Sequence, residues 1–331
     1  MKLSYLDLIT TDPGFNLAVE EYVFDHLPKD RMYFMLWQND NAVIIGKHQN
    51  TLAEINESYV RQQGIRVVRR LSGGGAVYHD MGNLNYTIIA DADDGGQLDF
   101  PRFCRTVLHA LERAGVHAEL NGRNDMTIDG KKFSGNAQYT KNGRIMHHGT
   151  ILFDSNPDVL TQALQVDPAK IQAKGVKSVR SRVTNVRPHL PQDLTLPQFR
   201  KLLLESVLEE IPGEPYYLTP EDLNEISRLK ETRYDTWEWN FGHSPACTVQ
   251  KRRRVEGCGT VEAYLTLDQG VIQDIRFRGD FFSADDPAEL GSLLRGCRME
   301  TASIQKAIGN VDISRYFLGL SQEMFLEVLI E

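Results

Sequence analysis

The apolar residues of this chain fall mostly into short runs separated by turn residues, and only a few stretches carry helical spacing. Met32–Gln38 and Ala42–Lys47 are two such runs, and Asn39-Asp40-Asn41 between them predicts a hairpin. Ile65–Val68 and Leu84–Ala90 predict further strands. Asp99-Phe100-Pro101 opens a helix with Phe103, Val107, Leu111 and Ala114 as its stripe, and Gly115 stops it. Val116–Leu120, Met126–Ile128, Lys132–Tyr139 and Arg144–Phe153 continue the strands, with hairpin turns at Asp129-Gly130 and Asn142-Gly143. Strands outnumber helices and hairpins dominate. The expected class is α+β, with mixed, mostly antiparallel sheets and flanking helices rather than a doubly wound parallel sheet.

Leu196–Glu210 and Pro220–Glu231 have helical spacing, and Glu238–Pro245 reads as an irregular connection. Beyond it, Thr248–Val255, Thr260–Leu267 and Val271–Phe277 predict three strands, followed by two or three helices. Val261, Ala263, Leu265 and Leu267 alternate with polar residues, which gives that strand one buried face, and Asp268-Gln269-Gly270 turns it into the next. The pattern divides the chain into residues 1–244 and a small α/β accessory unit at 245–331, near the lower size at which a core forms independently.

The run Arg69-Arg70-Leu71-Ser72-Gly73-Gly74-Gly75-Ala76-Val77-Tyr78-His79-Asp80 carries the strongest chemical signal. Consecutive glycines let the backbone turn through positive φ and bring N–H groups against a ligand. Two adjacent arginines add positive charge with a fork suited to phosphate or carboxylate. The run is not a Walker A loop, because G-x-x-x-x-G-K-[ST] is absent. It is not a dinucleotide fingerprint either, because a strand rather than a helix follows the glycines.

Composition narrows the setting. With 331 residues, 41 % hydrophobic and 25 % charged, the chain reads as a soluble globular protein. No apolar run approaches the ~20 residues of a membrane span. The N-terminus has an early acid and no long apolar core, so no secretory signal is expected. Cys104, Cys247, Cys258 and Cys297 are widely spaced without C-x-x-C, which suits reduced thiols and a cytoplasmic location. A net charge of −8 argues against nucleic acid as a partner. Within this acidic chain, however, Pro168–Gln192 holds Lys170, Lys174, Lys177, Arg180, Arg182 and Arg187 with no acid, the pattern of a phosphate-covering loop.

Three further segments bear reactive side chains. Gly122-Arg123-Asn124-Asp125 places a carboxylate that could bind a divalent metal or orient a cation. Lys132 follows the Asp129-Gly130 turn in a segment of small residues. His147 and His148 fall on opposite faces of a strand, so at most one faces a given pocket. No Ser lies in G-x-S-x-G and no Cys sits beside a His, and Cys104 belongs to a helical core stripe. What remains is electrostatic chemistry: Arg70, Lys132 and the basic loop around a polyanion, as adenylate formation requires. Val43, Ile45 and Val77 are candidates for an apolar slot beside it.

Taken together, RRLSGGGAVYHD (69–80), GRND (122–125), KFSGNA (132–137), HHGTIL (147–152) and KGVKSVRSRVTN (174–185) closely resemble lipoate–protein ligases of the biotin/lipoate ligase superfamily. FNLAVEE (15–21) and LWQN (36–39) extend the likeness, and WEWNFGHSP (237–245) with RGDFF (278–282) is similar to that family's C-terminal domain. The resemblance implies a reaction of two steps. Lipoate and Mg·ATP give lipoyl-adenylate, and the lipoyl group then passes to a lysine on a lipoyl domain of a 2-oxoacid dehydrogenase E2 or on the glycine-cleavage H protein. It implies Lys132 as the catalytic lysine at the lipoyl carbonyl and α-phosphate, with Ser134, Gly135 and Ala137 in the same motif. Arg70, Ser72, Gly73, Gly74, Gly75, Ala76, Val77 and Tyr78 would line the lipoate and phosphate site, and Trp37 would border the acyl tunnel. Asn83, Asp125, His148, Gly149 and Thr150 would surround the adenylate or Mg²⁺, with Asp125 as metal ligand. Lys174, Ser178 and Arg180 would lie on the loop closing over AMP. Two alternatives carry different chemistry: an ATP-independent octanoyl or lipoyl transferase of the same superfamily, and a non-catalytic binder of acyl groups or lipoyl domains.

Overall fold

A computed structural model describes residues 2–49, 51–92, 99–164, 182–241, 249–268, 271–299 and 301–330. The elements used below are β1 (Lys2–Asp7), α1 (Pro13–His26), β2 (Arg31–Trp37), β3 (Ala42–Ile45), β4 (Arg66–Arg69), β5 (Val77–His79), β6 (Asn83–Asp91), α2 (Phe100–Arg113), β7 (Glu119–Asn121), β8 (Asp125–Ile128), β9 (Lys131–Lys141) and β10 (Arg144–Leu152). They continue with α3 (Leu196–Glu210), β11 (Gly213–Pro215), α4 (Pro220–Leu229), β12 (Val249–Val255), β13 (Gly259–Asp268), β14 (Val271–Gly279), α5 (Pro287–Leu294), α6 (Thr301–Ile308) and α7 (Gln322–Ile330).

A mixed sheet in the order β11-β1-β2-β6-β10-β9-β8-β7 forms the frame. The β11/β1 and β1/β2 pairs are parallel, and every pair from β2/β6 onward is antiparallel. The Asp129-Gly130 and Asn142-Gly143 turns take φ of 51°/71° and 52°/72°, the left-handed pair that closes a tight hairpin. β2 is buried on both faces: Phe34 and Leu36 enter a core with α2 and α3, while Tyr33, Met35 and Trp37 enter a second core with α1. Its sequence is therefore apolar throughout instead of alternating.

The expected hairpin between Met32–Gln38 and Ala42–Lys47 does not form. Both edges of β2 are taken, by β1 and β6, so β3 has no edge to join. It pairs instead with β4 (parallel) and β5 (antiparallel) in a separate small sheet. Val116–Leu120 also contracts to the short strand β7, and Glu238–Pro245 begins in a helical turn at Trp237–Asn240 before leaving the described residues.

Asp12 caps α1, its carboxylate accepting from the Phe15 N–H at 2.9 Å ahead of Pro13. At the other end the buried Arg144 guanidinium donates to the carbonyls of Val23, Phe24, Leu27 and Pro28. The first two are orphan helix-end acceptors and the others lie at and just past the C-cap, so one side chain from β10 fixes the helix that carries Leu17 and Glu20. The β12-β13-β14 meander builds a third core with α5, α6 and α7, in which Val261, Ala263 and Leu265 form the expected buried face.

This last sheet docks on the glycine-rich segment. The Gly74 N–H donates to the Phe281 carbonyl (3.0 Å), the His48 ring stacks on Phe281 (centroids 4.7 Å), and Thr140 Oγ1 donates to the Ala284 carbonyl (3.0 Å).

Candidate active site

A cavity of about 110 Å³ opens where the two sheets of the larger unit face one another. Register places its ends. Trp37 on β2 lies opposite Asn85 on β6, Asn85 opposite Thr150 on β10, and Thr150 Oγ1 accepts from Gly135 N on β9 at 3.2 Å. Three strand spacings therefore separate the Trp37 end from the Gly135 end, about 14 Å.

Leu17, Trp37, Ile44 and Val77 make the first end apolar. Ile44 takes the place expected of Val43 and Ile45. In a strand, neighbours point to opposite faces, and those two enter a core with Ile55, Val60 and Tyr78 behind the small sheet. At the other end stand Lys132, Asn124, Asn136, Gly149 and Thr150. Lys132 Nζ lies 2.7 Å from Asp125 Oδ1, so the lysine has a carboxylate partner that its sequence neighbours did not advertise. A bulge between Met126 and Thr127 on β8 accompanies this pairing.

Of the other expected residues, Arg70, Gly74, Gly75, Ala76, Gly135, Ala137 and His148 are on the wall. Ser72, Gly73, Asn83 and Ser134 are not; they are buried behind it. Tyr78 faces a second cavity of about 190 Å³ shared with Asn156, Val183, Thr184 and Asn185. That cavity adjoins β9, since Lys132 N donates to Arg182 O (2.7 Å) and Thr184 N to Lys132 O (2.9 Å). Lys174, Ser178 and Arg180 lie outside the described residues.

The arginine pair does not present free forks. Arg69 donates to the carbonyls of Gly46, Lys47, Gln49, Trp239 and Asn240 and to Thr51 Oγ1. Arg70 donates to the carbonyls of Ile44, Gly73 and Gly75 and to Ser72 Oγ. Arg70 holds the glycine segment from beneath, Arg69 ties the turn after β3 to Thr51 and the Trp239–Asn240 segment, and burial lowers each to about 10, which leaves them charged near neutrality. The relevant physics is carbonyl satisfaction rather than anion capture.

A buried chain of hydrogen bonds continues from Arg70. Ser72 Oγ meets His148 Nε2 at 2.6 Å, His148 Nδ1 meets Glu20 Oε1 at 2.9 Å, Thr87 Oγ1 donates to Glu20 Oε1 at 2.5 Å, and the Trp37 indole N–H donates to Thr87 Oγ1 at 2.9 Å. Behind Trp37 and His148 the polar atoms thus bond one another, leaving a surface suited to an aliphatic chain. His147, on the other strand face, is sealed between Tyr86, Gln138 and Phe103.

Sequence reasoning missed Leu17, Ile44, His79, Asn85, Asn124, Asn136 and Phe282 as wall residues. Phe282 comes from beyond β14. Its ring lies beneath the Arg123 guanidinium (4.5 Å) and against Gly74, where a Cβ would come within 2.9 Å of Cε1 at a φ of +90°.

Burial keeps three imidazoles neutral. His79 is pushed down to about 3 by desolvation, then by Arg70 and His148, and His48 and His147 are lowered by burial in the same direction. The unfolded chain takes up protons near pH 6.5 while these folded sites do not. Their stabilisation is therefore complete above that value and lost as pH falls toward their folded values. At pH 5 the loss at His79 is about 2 kcal/mol. Thermal melts should show a Tm that drops steeply between pH 7 and pH 5; a flat profile would contradict the neutral assignment.

A slot between two sheets, apolar at one end and closed by a lysine–aspartate pair at the other, defines an α+β acyl-handling domain. Residues 12–208 match the model of the lipoyl protein ligase A/B catalytic domain, and residues 244–329 match that of the bacterial lipoate protein ligase C-terminus. The chain belongs to the lipoate–protein ligase family. It is 42 % identical to the lipoate-protein ligase LplJ of Bacillus subtilis, over 96 % of this chain and 97 % of that one. Among solved structures it is similar to a bi-partite lipoate protein ligase of the archaeon Thermoplasma acidophilum, described with its E2 lipoyl domain. There the identity is 29 %, the TM-score 0.65, and the match covers 75 % of this chain and 100 % of that one. It is also similar to a lipoate-protein ligase A bound with ATP, at 28 % identity and TM-score 0.64 over 73 % of this chain and 99 % of that one.

Proposed function

We propose that this chain activates lipoate with Mg·ATP to lipoyl-adenylate, releasing pyrophosphate, and transfers the lipoyl group to a lysine of a lipoyl domain, on a 2-oxoacid dehydrogenase E2 or the glycine-cleavage H protein. The observation that carries the reading is Lys132 at the polar end of an apolar slot of acyl length. A carboxylate entering that end competes with Asp125 for Nζ, and the ammonium then neutralises charge shared between the carboxylate and the α-phosphate as the anhydride forms. The second cavity, with the Tyr78 ring beside Thr184 and Asn185, is the room this reading gives to the nucleotide.

Among the described residues no group of three or more His, Cys, Asp or Glu could hold a metal ion. A single carboxylate nevertheless fits Mg²⁺, which usually completes its shell with phosphate oxygens and water. Asp125 would be that ligand, and the ion would supply positive charge at the phosphates. Cys104 and Cys258 lend nothing to an ATP-independent thioester route, because burial raises their thiols to about 12.

In the same reading residues 1–244 form the catalytic unit and 245–331 an accessory unit that places Phe282 on the cavity. No described helix is long and apolar enough to cross a membrane, and a cytoplasmic location follows from the proposed substrates. The test is ATP–pyrophosphate exchange with Mg²⁺ and no acceptor protein. Exchange that requires lipoate is expected; its absence in folded protein that still binds lipoate would shift the reading to an ATP-independent transferase or a binder.

A further inference from the structure

His79 lines the cavity at its apolar end and is 2 % exposed. Its protonation pattern can be traced from the backbone. Asn16 Nδ2 donates to the carbonyls of Thr10 and Gln38, which fixes that amide's orientation. The same nitrogen faces Asn39 Oδ1 at 2.9 Å, so the Asn39 amide nitrogen is the atom turned to His79 Nδ1, at 3.1 Å. The Asn85 amide nitrogen stands 3.5 Å from the same ring nitrogen. With N–H donors converging on it, Nδ1 must hold the lone pair, and a neutral imidazole then carries its proton on Nε2.

That Nε2–H is buried and has no hydrogen-bond partner in the protein. A buried donor without an acceptor is costly, and its persistence beside an otherwise satisfied wall points to a partner brought by the ligand. The surroundings restrict what that partner is. Leu17, Trp37, Ile44 and Val77 exclude a charged group, and the Trp37 ring stands edge-on at 6.1 Å. An acid whose carboxylate lies at the Lys132 end reaches this end with its tail. The tail of lipoate carries two acceptors, the sulfurs of its dithiolane ring, whereas the tail of a straight-chain acid of the same length carries none.

We propose that His79 is a specificity-determining residue, donating its Nε2–H to a ring sulfur of lipoate and so separating lipoate from sulfur-free acids of the same size. This rests on the ligase reading above, and the test separates the two.

Calorimetric titration of the full chain, without nucleotide, would compare lipoate with 5-cyclopentylpentanoate, which keeps the ring and loses both sulfurs. The wild-type protein is expected to bind the carbocycle about tenfold more weakly. His79→Phe, which keeps an aromatic ring and loses the donor, should bring the two affinities within about twofold of each other. Equal affinities in the wild type overturn the hydrogen bond while leaving the ligase reading intact, and so does an undiminished preference in His79→Phe. If the variant fails to fold, the wild-type comparison alone still decides. Binding of neither acid, with no lipoate-dependent exchange, overturns both readings.

Discussion

Lys132→Ala is expected to lower lipoate-dependent ATP–pyrophosphate exchange about a thousandfold, with the melting temperature shifted by about 2 °C or less. The two halves of this result have separate causes. The Lys132 side chain is 38 % exposed and its Asp125 partner 29 %, so the pair is in contact with solvent and holds little of the fold. Asp125 left alone is still hydrated. In the reaction the same ammonium meets charge that develops between two anions. Arg70 is on the wall too, yet every one of its nitrogens already donates, to the loop, to Ser72 or to the Ile44 carbonyl of β3. Exchange rates and melts on one preparation check both halves. An active, folded Lys132→Ala protein would remove the electrostatic mechanism.

Arg69→Lys should behave as a severe lesion although it keeps the charge. The guanidinium of Arg69 satisfies six acceptors from three stretches of chain, the turn after β3, Thr51 and the Trp239–Asn240 segment, and no carboxylate is among them. An ammonium has three donors and no planar fork, so at least half of these acceptors would lose their partner. The expected destabilisation is about 3 kcal/mol, or roughly 6–12 °C in Tm. Exchange activity at low temperature should fall less than in Lys132→Ala, because the lesion lies under the turn after β3 and not in the slot. A Tm within a degree or two of wild type would show that water replaces the missing donors.

The antiparallel part of the frame was legible because its turns carry their own instructions. Asp129-Gly130 and Asn142-Gly143 specify left-handed backbone, and the strands on either side follow. The stripe of α2 was legible for the same local reason. The hairpin at Asn39-Asp40-Asn41 was not, because whether β3 joins β2 depends on β1 and β6 already occupying its edges, a fact of distant pairing. The choice between Ile44 and its neighbours was hidden by burial on both faces, which removes alternation from Ala42–Ile45. In the site, the glycine run and Lys132 stood out by residue type. Their physical roles needed coordinates: two arginines that read as anion forks are spent on carbonyls, and Lys132 meets Asp125 across a bulged strand pair. Asn16, Asn39 and Asn85 carry no pattern at all until their amides are seen to converge.

Among the described residues, the cavity wall draws on residues 17 to 150 with one exception, Phe282. During synthesis every one of these residues but Phe282 is therefore made long before that last aromatic ring leaves the ribosome.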